Sequence, residues 1–283
     1  LEAACRAYPT DYFPFLLAAS TAYHLDDYNK ALKYGKETLG LGYKPDLNFR
    51  LMLAECHVAL GQYKIGEELL DKLIEAPDVT AEVWVAKGNL EAILKHPKEA
   101  LQCYEKALQL SPGNSQAIYQ KALLKLSTDK SESGLKELKE AVEKNPDNHK
   151  LRLFRAELFL KLKRYEEALA DYKILEKAIP LDARVYRGQA AIMALTERND
   201  EVLALAQKAN KLDPDDPAAS LILATALATN GKSEEAEKAF NSAVKNAGND
   251  SMPRLLRARF FVAQKRYKEA LEDYDLLVKS GQE

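Results

Sequence analysis

Along most of the chain, apolar residues recur at three- and four-residue spacing, and short polar or glycine-containing breaks interrupt them at regular intervals. The run LRLFRAELFL at 151–160 is followed by a few polar residues and then by EEALADYKILEKAI at 166–179, whose apolar positions again fall on one side of a helix. Such a pattern predicts two amphipathic helices joined by a tight turn.

That unit repeats. Seven of the eleven prolines, Pro9, Pro45, Pro77, Pro112, Pro146, Pro180 and Pro214, are separated by 36, 32, 35, 34, 34 and 34 residues. A shift of 34 residues per window superimposes YEEALADY (165–172) on SEEAEKAF (233–240) and YKEALEDY (267–274) downstream, and on PKEALQCY (97–104) upstream. The chain divides into eight windows: 12–46, 47–80, 81–114, 115–148, 149–182, 183–216, 217–250 and 251–283, with 1–11 expected to be the tail of a preceding repeat helix. Proline cannot continue the helix before it and suits a linker or the first turn of the next helix, which explains its single recurring slot.

Each window therefore predicts an antiparallel helix hairpin. Small residues occupy one slot of every first helix (Ala19, Ala54, Gly88, Ala122, Ala156, Ala190, Ala224, Ala258) and one slot of nearly every second helix (Ala31, Gly66, Ala100, Gly134, Ala168, Ala236, Ala270), with Val202 the exception. Large residues, among them Leu70, Tyr104, Leu138, Tyr172, Phe240 and Tyr274, stand four positions after the second of these slots. Interlocking helices need that alternation. A hairpin of this kind cannot shield its apolar side alone, so the expected fold is all-α, an α-solenoid of stacked hairpins with a 34-residue period.

The 34-residue period, Trp84 with Gly88, Ala100 with Tyr104 and Ala107, and Pro112 at the close together resemble tetratricopeptide repeats over residues 12–283. The first window departs most, with Gly35 at the large-residue slot and an added residue in the loop of Gly40 and Gly42. The resemblance implies a right-handed superhelix whose inner groove, lined by first helices, holds a peptide, a helix or a whole partner without chemistry. Carried over slot by slot, the lining reads Leu51, Met52 and Glu55 in the second window, Val85 and Asn89 in the third, and Tyr119 and Gln120 in the fourth. It continues with Leu153, Phe154 and Glu157, then Arg184 and Arg187, then Leu221 and Ile222, and ends with Leu255, Leu256 and Arg259. An apolar lining with isolated charges suits an amphipathic helix or an extended apolar peptide. Packing against neighbouring repeats is the competing role of each apolar slot. Of the basic and polar slots that grip acidic chaperone tails in one branch of the family, only Asn89 and Lys150 match, and the asparagine ladder of another branch is reduced to Asn89.

Ten of the twelve arginines lie between Arg152 and Arg266. One reading makes the C-terminal half a receptor for an acidic segment. The repeats, used as their own alignment, give another for some of them: a basic residue in the first helix is matched by an acid sixteen positions on for Arg155 and Asp171, Lys121 and Glu137, and Arg257 and Asp273, whereas Lys87 faces Cys103. These pairs predict bridges within hairpins, leaving Arg184, Arg187 and Arg259 as ligand candidates.

The 283 residues carry 41 Lys and Arg against 43 Asp and Glu, a net charge of −2. No basic footprint for nucleic acid results. The longest uncharged stretches, 13–25 and 217–231, are shorter than the roughly 20 apolar residues of a membrane span. Three widely spaced cysteines, Cys5, Cys56 and Cys103, form no disulfide or zinc pattern and lean towards a cytoplasmic location, with a periplasmic or membrane-associated context left open for a longer protein. Four scattered histidines have no metal-ligand spacing, and Ser127 with Lys130 matches SxxK without its companion motifs. No cofactor and no catalysis are expected. The expectation is a protein–protein interaction scaffold; the alternative is the regulatory or substrate-recruiting region of a larger enzyme or polysaccharide-export machine. An array that opens on a helix tail and ends without a polar capping helix is also expected to be a piece of a longer protein or to self-associate through its ends.

Overall fold

The computed structural model describes residues 2–129, 132–248 and 250–280, and among them are seventeen helices and no strand. The helices fall into two compact units, residues 1–145 and 146–283. Unit 1 begins with a short helix α1 (Glu2–Ala7), packed on α2; Leu1 lies outside the described residues. Four hairpins come next: α2 (Tyr12–His24) with α3 (Tyr28–Gly40), α4 (Leu47–Ala59) with α5 (Tyr63–Ile74), α6 (Ala81–Ile93) with α7 (Pro97–Leu110), and α8 (Ser115–Asp129) with α9 (Ser133–Lys144). Unit 2 holds α10 (His149–Lys161) with α11 (Tyr165–Ala178), α12 (Ala183–Leu195) with α13 (Asn199–Leu212), α14 (Pro217–Thr229) with α15 (Ser233–Asn246), and α16 (Met252–Ala263) with α17 (Tyr267–Ser280). Each window thus contains two helices. Within each unit a second helix packs both on its own partner and on the first helix of the next hairpin, as α3 on α4 and α11 on α12, the arrangement of an α-solenoid.

The small-residue slots are where helices cross most closely. Ala19, Ala54, Ala156, Ala190, Ala224 and Ala258 are fully buried, as are Ala31, Ala100, Ala168 and Ala236 in the second helices. At Gly134 a Cβ would come within 2.5 Å of the Ala122 carbonyl oxygen, so backbone meets backbone and no side chain fits. Large residues fill the space between: Leu70, Leu138 and Leu175 have no exposed surface, and Tyr104 and Tyr172 almost none. Burial of such side chains stabilises by about 1.5–3 kcal/mol each.

The hairpin turns share one geometry. In seven of the eight windows the fifteenth residue has a left-handed backbone: Asp26, Gly61, Lys95, Lys163, Glu197, Gly231 and Lys265, with φ between 56° and 73°. At each, two crossed hydrogen bonds close the first helix; Arg164 N–H donates to the Phe159 carbonyl at 2.8 Å and Lys163 N–H to that of Leu160 at 3.0 Å. These bonds satisfy carbonyls that the helix end leaves unpaired. Ser127 back-bonds to the Leu124 carbonyl at 2.8 Å, and Lys130 of its SxxK match lies outside the described residues.

The sixteen-residue bridges form. Arg155 meets Asp171, Arg257 meets Asp273, and Lys121 lies 3.5 Å from Glu137, which Lys125 also contacts. Lys87, with no acid sixteen residues on, instead sits among Glu67, Asp71 and Glu91 at 3.0, 2.9 and 3.2 Å. Burial works against its charge, but hydrogen bonds to Asp71, Glu67 and Glu91 outweigh that and hold its ammonium protonated well above the usual lysine range.

Candidate partner-binding groove

In unit 1 the first helices α2, α4 and α6 lie side by side. Asp11 caps α2 by accepting from Phe13 N–H at 2.9 Å and Asp46 caps α4 by accepting from Phe49 N–H at 2.8 Å, which fixes where both helices start. Their small-residue faces are buried. Beside these, Leu16, Leu17, Ser20 and Tyr23 of α2 and Asn48, Leu51, Met52 and Glu55 of α4, with Tyr43, line an open groove of about 440 Å³. A second cavity of about 280 Å³ continues it, between Tyr23, Tyr28, Glu55, Val58, Asn89 and Ile93. Tyr23 and Glu55 belong to both cavities, so the groove runs across three repeats. Leu17, 43% exposed, leaves apolar surface in its lining.

The polar groups in the groove are few and fixed. Tyr23 Oη donates to Glu55 Oε2 at 2.6 Å across two repeats, Tyr28 Oη to Asp26 Oδ1 at 2.6 Å, and Tyr104 Oη to Asn89 Oδ1 at 3.0 Å. Burial pushes the Glu55 carboxyl above the usual glutamate range, and the Tyr23 hydrogen bond opposes part of that shift. Burial, with Glu55 beside it, raises the Tyr23 phenol well above the usual tyrosine range. Burial, with Glu55 nearby, also lifts the Cys56 thiol to about 12. Among the described residues neither cavity has a lysine or arginine in its lining; the charged or titratable side chains there are His24, Asp46, Glu55 and the tyrosines.

The residues expected from sequence divide into three sets. Glu55, Asn89, Gln120, Phe154, Glu157, Leu221, Ile222, Leu255 and Leu256 are half-buried, and Leu51 and Met52, though mostly buried, form the groove floor. Val85, Tyr119 and Leu153 are buried as well. Val85 packs with Ala81, Ala107 and Ala117 in the core between α6, α7 and α8; Tyr119 is buried; Leu153 retains 1% of its surface. The basic candidates differ in their partners. Arg184 binds Asp182 with Nε at 2.9 Å and Nη2 at 2.6 Å, and Arg187 reaches Asp216 at 2.7 Å and Glu157 at 3.8 Å, while Arg259 is exposed. Arg184 and Arg187 are thus ion-paired within unit 2 and remain partly exposed.

Tyr23 stands outside the expected set, although the repeats hold its signal. The same slot carries Val58, Ala92, Leu126, Leu160, Ala194, Ala228 and Val262, so Tyr23 is the one aromatic residue there. Its hydroxyl is what turns an apolar trough into a groove with a fixed carboxylate.

Comparisons with known proteins agree with this architecture. Models of the tetratricopeptide repeat match residues 51–115 and 195–260, and the model of anaphase-promoting complex, cyclosome, subunit 3 matches 95–173. Among solved structures, yeast Tom70 is 21% identical with a TM-score of 0.71, over all of this chain and 60% of its own. The Cut9–Hcn1 assembly of the APC/C is 14% identical with a TM-score of 0.61, over 96% of this chain and 53% of its own. The Thermus thermophilus protein TTC0263 is 23% identical with a TM-score of 0.52, over 65% of this chain and all of its own. This chain therefore spans little more than half the length of the two larger structures. Likeness at these identities is likeness of fold. Comparison with the curated proteins finds no match. No described helix is long and apolar enough to cross a membrane.

Proposed function

Because the chain is a tetratricopeptide-repeat protein, we propose that its unit 1 holds a segment of a protein partner, an amphipathic helix or an extended apolar peptide, in the groove across α2, α4 and α6. Proteins of this family mediate protein–protein interaction and typically act as non-catalytic scaffolds. The observation that supports this reading is the continuity of the groove: two adjoining cavities with Leu16, Leu17, Met52, Val58 and Ile93 along them, rimmed by polar side chains. Apolar surface of that kind, rimmed by polar groups, is characteristic of interaction sites. In unit 2 the sequence-derived lining Phe154, Leu221, Ile222, Leu255 and Leu256 is half-buried, with Leu221 and Leu256 packed against the core, so it offers less open apolar surface. An acidic ligand for Arg184 or Arg187 has to displace Asp182 or Asp216, which weighs against the acidic-segment reading.

The test is selection of a displayed random-peptide library on the intact protein. Enriched peptides are expected to carry apolar residues at helical or alternate spacing, and to lose binding to a Leu17→Asp variant that keeps its helical circular dichroism. Peptides that bind Leu17→Asp as well as the original protein, or no enrichment at all, would overturn the groove as the binding site.

A further inference from the structure

The internal repeats show what this fold does with a carboxylate at the slot of Glu55. In unit 2 the residue at that slot is Glu157, and the next first helix supplies a cation, Arg187, with Nη2 3.8 Å from Glu157 Oε1. The position equivalent to Arg187 in the repeat after Glu55 is Val85, an apolar core residue. Among the described residues no lysine or arginine pairs with Glu55, and no lysine or arginine lines the two cavities that meet at it. Tyr23 occupies Oε2 alone, at 2.6 Å, and so fixes the direction of the carboxylate while leaving Oε1 for another donor. A half-buried carboxylate with one neutral hydrogen bond is poorly compensated, and a cation brought to it in a partly dry site makes a strong, directional bond.

We infer that Glu55 is the specificity-determining residue of the groove, recognising a lysine or arginine side chain carried by an otherwise apolar partner segment. The inference rests on the groove reading above and deepens it by fixing the partner's charge. Seated along α2, α4 and α6, the segment places its apolar side chains against Leu16, Leu17 and Met52. Its cation projects to the junction of the two cavities, completing from outside the pair that Arg187 completes from within in unit 2. Tyr23 acts as a positioning residue, since it touches the carboxylate and holds its orientation.

The experiment uses groove-binding peptides from the library selection, synthesised in three forms: as selected with their lysine or arginine, with norleucine at that position, and with glutamate there. On the original protein the norleucine form is expected to bind about tenfold more weakly, the size of one hydrogen bond to a charged group, and the glutamate form more weakly still. On Glu55→Gln, whose amide oxygen keeps the acceptor for Tyr23, the cationic and norleucine forms are expected to bind alike. The peptide series on the original protein decides the matter even where Glu55→Gln fails to fold. Peptides that lose binding to Leu17→Asp yet share no cation, or that tolerate norleucine without loss, overturn the cation inference and leave the groove standing. Absence of any peptide sensitive to Leu17→Asp overturns both.

Discussion

The Arg155 guanidinium grips both oxygens of Asp171, with Nε 2.8 Å from Oδ2 and Nη2 2.7 Å from Oδ1, and Arg152 adds a third contact to Oδ1 at 3.2 Å. Three windows later Arg257 repeats the grip on Asp273 at 2.8 and 2.6 Å, with Arg254 3.7 Å away. Both aspartates are 2% exposed. Removing one partner of such a pair leaves a poorly hydrated charge behind, at a cost of about 3–5 kcal/mol. Asp171→Ala is therefore expected to lower the stability of unit 2 by roughly 3 kcal/mol, measured by guanidinium unfolding followed by circular dichroism. A loss of less than about 1 kcal/mol would class the pair with solvent-exposed ion pairs.

The left-handed turn residue offers a gain rather than a loss. Lys163 has φ 59°, whereas Gly61 and Gly231 fill the same slot at 73° without a Cβ. An L-residue with a side chain pays about 1–2 kcal/mol for that conformation, part of which the flexibility of glycine in the unfolded chain offsets. Lys163→Gly is expected to raise stability by about 0.5–1 kcal/mol, and Gly231→Lys to lower it by a similar amount. Thermal midpoints moving the other way would show that side-chain contacts, rather than backbone strain, govern the slot.

Much of this was legible in the sequence because the repeats align with one another. The small slots at Ala54 or Ala190 and the sixteen-residue pairing of Arg155 with Asp171 both repeat, so each copy checks the others. What the repeats do not reveal is the small rotation of one helix against the next. That rotation helps set how deeply slots such as those of Val85 and Leu153 are buried. The partners of Arg184 and Arg187 were hidden for a different reason: Asp182 and Asp216 are helix-capping residues in the linkers, outside the hairpin register that exposed the other bridges. Tyr23 was legible only as a departure from its slot, and its bond to Glu55 depends on a crossing between repeats.

Close approach at Gly188 sets a limit on substitution. A Cβ there would lie 2.2 Å from Cζ and 2.3 Å from Oη of Tyr172, a ring with almost no exposed surface. Alanine's better helix propensity is worth up to about 1 kcal/mol, against about 1–3 kcal/mol for overpacking. Steric conflict is expected to prevail, so that Gly188→Ala destabilises unit 2 and Tyr172→Phe, which removes the hydroxyl, recovers part of the loss. Equal stability of Gly188→Ala and the parent protein would mean that α11 and α12 slide apart at little cost.

Glu55 gives the groove a pH signature independent of any ligand. Burial raises its carboxyl above the ordinary value of 4.5, and the Tyr23 bond opposes that shift. Between the unfolded and folded values the native state holds the proton more tightly, so stability falls as pH rises. The contribution is complete below the unfolded value and lost as pH climbs through the folded one. Glu55→Gln cannot ionise there. The difference in thermal midpoint between the parent and Glu55→Gln is therefore expected to turn against the parent as pH is raised from about 4 towards neutrality and then to level off. Groups far from Glu55 titrate alike in both proteins and cancel in the difference. Tyr23→Phe removes the bond that favours the ionised carboxylate, so it should extend the decline to higher pH. A difference that favours the parent as pH rises would mean that Glu55 is ionised and well compensated in the groove, contrary to the burial that defines it.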